Sequence, residues 1–146
     1  MVDIVVPAEY GYVIIVAILS VLQLTSMGIS VYQARNQAGV PYPFVYADKA
    51  EAEADFDKHV FNCKQRVHQN TLEAFPVFAI LLFTGGLSYP IITASAGAFY
   101  LLNKILYSRG YSTGVPEKRG QGRFSYIGTL AMLGTSIATV YHLLIN

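Results

Sequence analysis

The chain has 146 residues, enough for one compact unit and too few for two ordinary domains. Hydrophobic residues make up 53% and charged residues only 13%, and the mean hydropathy is positive, a balance that points to an integral membrane protein. A net charge of +1 excludes a basic nucleic-acid-binding face, and the single Cys63 excludes a disulfide framework or a multi-cysteine zinc site.

Residues 10–34 carry no charge and are bracketed by Glu9 and Arg35, which predicts a first membrane span. Without a basic stretch ahead of it or a small-residue cleavage site, this segment reads as a retained span rather than a signal peptide. Pro41 and Pro43 then break the helix, because proline removes a donor and constrains the residue before it. The acidic run Asp48, Glu51, Glu53, Asp55 and Asp57 reads as a solvated loop. A second helix is expected over 58–84, with Pro76 inside it and an uncharged tight turn over 85–90. The third span is expected over 91–110, where Ala94, Ser95, Ala96, Gly97 and Ala98 allow another helix to approach closely. A second polar loop follows over 110–122, and the fourth span over 124–145 carries Gly128, Gly134 and Ser136 for packing. The expected fold is all-α, a single integral-membrane four-helix bundle over 1–146.

All 10 Lys and Arg residues lie in the two polar loops or in the helix ends beside them. The positive-inside rule therefore puts both polar loops in the cytosol and both termini on the far side. Within the second helix, Arg66, Asn70 and Glu73 follow the spacing i, i+4, i+7, which places them on one narrow face. Ionisable residues at membrane depth are costly and face protein or a water-filled cavity. A cation, an amide and a carboxylate in one stripe suit a zwitterionic ligand. The stripe also admits a purely structural reading, an Arg66–Glu73 ion pair that holds helices together. Tyr107 and Tyr111 likewise suit interfacial anchors, and Lys118, Arg119 and Arg123 suit the positive-inside signal alone.

The run Phe61-Asn62-Cys63-Lys64-Gln65-Arg66-Val67-His68-Gln69-Asn70-Thr71-Leu72-Glu73 resembles the second-helix signature of the MAPEG family. These are membrane-associated proteins of eicosanoid and glutathione metabolism, and the chain is most similar to their type-three microsomal glutathione transferases. Supporting pieces are Glu9-Tyr10-Gly11-Tyr12, Val40-Pro41-Tyr42-Pro43, and the segment from Tyr107 through Tyr111 to Lys118-Arg119. The resemblance implies a homotrimer in the endoplasmic-reticulum membrane, with both termini lumenal and glutathione bound between subunits near the cytosolic face. By position it implies that Arg66, Asn70, Glu73, Tyr107 and Tyr111 bind glutathione from one subunit, and Arg35 and His68 from its neighbour. On a helical wheel His68 lies roughly 200° from Arg66, so one subunit cannot aim both at one ligand.

Glutathione has two carboxylates, an ammonium and a thiol, and its site needs at least two cations and one anion. Arg66 and Arg35 suit the carboxylates, Glu73 the ammonium and Asn70 a peptide amide. Conjugation requires a thiolate, which a nearby cation stabilises. Relatives use an Arg after the third-helix tyrosine pair. Ungapped counting from Tyr111 reaches Lys118, a shift of one reaches Arg119, and the permanent charge of Arg119 favours it. The implied activity is conjugation of glutathione to lipophilic electrophiles, with peroxidase activity on lipid hydroperoxides. Glutathione is the co-substrate, and no metal is implied. The rival is a non-catalytic lipid-presenting scaffold of the same fold. A transporter would place a polar stripe through several spans, and the first and fourth expected spans carry no charge.

Overall fold

The computed structural model describes residues 6–145. Met1 and Asn146, both expected on the lumenal side, lie outside the described residues. The chain is all-helical: α1 Tyr10–Ala38, α2 Lys49–Ala54, α3 Phe56–Gly86, α4 Pro90–Tyr111, a 3-10 segment Pro116–Gly122, and α5 Ser125–Ile145.

Local chemistry sets these boundaries. α1 ends on Gly39, whose φ of 63° is accessible to glycine without strain. There the Val40 amide donates to the Arg35 carbonyl at 3.3 Å and the Gly39 amide to Asn36 at 3.4 Å, the paired bonds of a Schellman end. α2 falls within the segment expected to be loop. Its sequence KAEAEA consists entirely of strong helix formers, which outweighs the acidic repulsion, and it buries no residue. Asp55 caps the next helix, its Oδ1 accepting from the amides of Asp57 at 2.9 Å and Lys58 at 3.4 Å. α3 continues through the expected Pro76, and Pro90 starts α4 at the position where a missing amide costs nothing.

Two compact units form. Of the described residues, the first comprises those up to Val21, Phe75–Leu102 and those from Phe124 on, and the second Leu22–Ala74 and Asn103–Arg123. The first unit is built around Val13, Val16, Phe78, Leu82, Tyr100, Leu101 and Met132, with the Phe78 and Tyr100 rings stacked at 4.8 Å. Hydroxyl pairs tie its helices: Thr93 to Thr135 at 2.9 Å, and Thr84 with Ser136 at 2.9 Å. Gly85 and Gly86, expected in a turn, instead end α3 as close-contact residues. A Cβ at Gly85 would come within 2.3 Å of the Thr135 hydroxyl, and one at Gly86 within 2.7 Å of Val13. Gly97 and Gly128 serve close packing as expected, but Gly134 meets nothing within 4 Å, and Ser95 is exposed.

The second unit is centred on Val31, Ala34, Ala38, Val40, Ala47 and Phe61. Asn62 holds the first loop by donating to the Ala47 carbonyl at 2.9 Å and accepting from the Ala47 amide at 2.8 Å.

Among the described residues, two segments are long and apolar enough to cross a membrane, Tyr10–Ala38 and Pro116–Ile145. That is fewer than the four expected. The first half of α3 carries Asp57, Lys58, Lys64, Arg66 and Glu73, and Asn103, Lys104 and Arg109 dilute α4. Residues such as Ile14, Ile18 and Leu22 on α1 and Ile127, Leu130, Ile137 and Leu144 on α5 point outward. Apolar surface of that extent suits lipid rather than water.

Candidate functional site

The residues singled out in the sequence fall in the second unit. On α3 the stripe forms as the periodicity requires, with Arg66 Nη1 at 3.2 Å and 3.5 Å from the two Glu73 carboxylate oxygens. Their side chains are 42% and 51% exposed, so this is an open ion pair rather than a buried clamp. Within the single chain both partners lie on α3 and the pair ties no second helix.

Asn70, between them on the same face, is joined to α4: its Oδ1 accepts from Lys104 Nζ at 3.0 Å. The Lys104 ammonium also lies 4.9 Å from the centre of the Tyr107 ring. Tyr107 and Tyr111, one turn apart on α4, meet edge to face with centroids 5.8 Å apart. Asn70 of the stripe, Lys104, Tyr107 and Tyr111 are thus linked in one run of contacts from α3 to α4.

The 3-10 segment carrying Lys118 and Arg119 is seated on α4 by two glycines. A Cβ on Gly110 would come within 2.6 Å of the Lys118 carbonyl. One on Gly122 would come within 2.4 Å of Tyr107 Cβ and 2.7 Å of the Asn103 carbonyl. Both Lys118 and Arg119 are exposed. Gly122→Ala should therefore lift the segment off α4 and cost about 1–3 kcal/mol, as overpacking does. Thermal unfolding in detergent would show a lowered midpoint. Gly120→Ala, which meets nothing within 4 Å, is the control expected to leave it unchanged.

Arg35 and His68 lie apart from this neighbourhood in their contacts. Arg35 is 7% exposed, and its Nη1 donates to the carbonyls of Val40 at 3.3 Å and Phe44 at 2.7 Å. The rings of Tyr42 and Phe61 flank the guanidinium at 4.6 Å and 4.7 Å. One edge of Arg35 is thus committed to ordering the first loop, a task the sequence did not reveal. Its other nitrogens are not sealed from solvent. His68 packs toward α1, with Nε2 3.6 Å from the place of a Gly28 Cβ.

Two further residues join the site. In the sequence Lys104 reads only as an orientation charge, although a lysine within an apolar span falls under the same rule as Arg66. Tyr46 of the first loop bonds through its hydroxyl to Gln69 Oε1, and its phenol lies within range of the Arg66 charge. Nothing in the local sequence marks that long-range contact.

A family model described as the MAPEG family matches residues 13–141 of the chain. It is a membrane family that includes glutathione transferases and related proteins, some of them non-catalytic.

Proposed function

The chain belongs to the MAPEG family, and from that premise we propose that it is a glutathione transferase of type-three microsomal kind. It acts on lipophilic electrophiles and reduces lipid hydroperoxides with glutathione as co-substrate. The observation that carries this reading is the exposed Arg66–Glu73 pair on the α3 face that also bears Asn70, which Lys104 joins to α4 beside Tyr107.

A zwitterionic ligand can exchange places with such a pair without leaving either charge alone. The α-carboxylate takes the Arg66 fork while the ammonium takes Glu73. The Arg119 guanidinium is the group proposed to stabilise the thiolate, with Lys118 its rival, and Tyr107 and Tyr111 complete the binding surface. The chain is proposed to act as a homotrimer in the endoplasmic-reticulum membrane, crossing it four times. The polar faces of α3 and α4 would then be turned to protein rather than lipid. Arg35, held rigid by its loop, and His68 would reach the ligand of the adjacent subunit. The acceptor would enter from the bilayer.

Calorimetry of the purified, detergent-solubilised protein with glutathione and with S-hexylglutathione tests the site. Conjugation of glutathione to a chlorodinitrobenzene tests the reaction. Binding without turnover on any electrophile or hydroperoxide would favour the scaffold reading. No binding of either ligand would remove the reading altogether.

The charge distribution also carries an orientation. Tags at Met1 and Asn146 should be protected in intact microsomes, while protease added outside should cut the segment over 48–57, whose acidic side chains are exposed. Cleavage of both tags without permeabilisation would reverse the orientation and put the site in the lumen.

A further inference from the structure

Lys104 is 7% exposed, yet it carries an ammonium that donates to Asn70 of the stripe. A buried ammonium is costly to desolvate, and a neutral side chain would join α3 to α4 at lower cost. A charged, donor-only group at this place supplies what a neutral one does not.

The amide of Asn70 can be flipped with almost no change in shape, and its two ends have opposite hydrogen-bonding character. An ammonium has three donors and no acceptor. Lys104 can therefore bond only to Oδ1, as it does at 3.0 Å. That contact locks the flip state and leaves both Nδ2 hydrogens as the free face of Asn70. Lys104 also lies 4.9 Å over the Tyr107 ring, which fixes the ammonium from a second side.

We propose that Lys104 is a positioning residue that fixes the Asn70 amide as a donor, so that Asn70 reads a carbonyl oxygen of the bound peptide. The inference rests on the glutathione reading of the site and adds to it both a residue and a polarity. Asn70 donates to the ligand's peptide backbone, and a group in that place lacking an acceptor oxygen is refused.

The test is a double-mutant cycle on the whole protein, with glutathione affinity measured by calorimetry and assembly by thermal unfolding and particle size. Asn70→Ala and Lys104→Met should each weaken binding about tenfold. The double variant should bind within about twofold of Asn70→Ala, because Lys104 acts through Asn70. Lys104→Arg, again a pure donor, should restore most of the affinity. A purely structural lysine would instead give losses that multiply. Parental affinity in Lys104→Met, or multiplied losses in the double variant, would overturn the proposal.

Should Lys104→Met fail to assemble, Asn70→Asp decides. It keeps a partner for the ammonium and loses the donor face, and it should bind as weakly as Asn70→Ala. Parental affinity there would refute donation. Glutathione binding by the parent, abolished in Glu73→Gln but untouched in the Lys104 variants, would overturn this inference alone. A parent that does not bind glutathione would remove the site reading and this inference with it.

Discussion

Glu73→Gln should weaken glutathione binding roughly ten- to a hundredfold while leaving assembly and thermal stability near those of the parent. No other acid lies between Asp57 and Glu117, so no neighbour in the chain segment can take over an ammonium. The size of the effect follows from exposure. Breaking a fully buried ion pair costs about 3–5 kcal/mol. Glu73 and Arg66 are 51% and 42% exposed, and the loss is instead that of one hydrogen bond to a charged group, about 1.5–3 kcal/mol.

The same exposure explains why stability should hardly change, since an open pair contributes little to folding. Desamino-glutathione gives the matching ligand test. It should bind the parent weakly and should bind Glu73→Gln no more weakly than the parent. A Glu73→Gln variant that assembles and binds glutathione as tightly as the parent would show that Glu73 does not hold the ammonium.

How much of this was legible in the sequence depends on the range of the interaction. The long helices and the α3 stripe follow from local periodicity, and observed helix bounds such as Phe56–Gly86 differ from the expected 58–84 by a few residues. The Arg66–Glu73 contact, seven residues apart on one helix, is set by helix geometry alone. The Lys104–Asn70 bond joins residues 34 apart and depends on how α4 packs on α3, which no local pattern encodes. Arg35 shows the same limit. Its charge and place after an apolar run are visible in the sequence, but the two loop carbonyls it binds are selected by the fold of 40–44. Gly85 and Gly86 read as a turn in the sequence because glycine pairs usually mark one. Packing against Thr135 and Val13 was the stronger constraint, and the helix ran on through them.

Arg119→Ala should lower turnover near neutral pH by on the order of a hundredfold while weakening glutathione binding far less. A thiol is a poor nucleophile, and its ordinary pKa of roughly 8.5 leaves little thiolate at pH 7. A cation beside the sulfur favours the charged form and moves that pKa down. Removing the cation moves it up, so the thiolate fraction falls and the rate profile shifts to higher pH. Both candidates for that cation are exposed on the 3-10 segment seated on α4, and Arg119 is the one proposed. Arg119 also offers a planar, multi-donor guanidinium where Lys118 offers a point charge. Lys118→Ala should therefore have the smaller effect. Thiolate absorbance at saturating glutathione, followed against pH in each variant, separates chemistry from affinity. If Arg119→Ala, Lys118→Ala and the double variant all kept the parental thiolate signal, neither cation would be the activator. A hydrogen bond from the Tyr107 or Tyr111 hydroxyl to the sulfur would then become the better candidate.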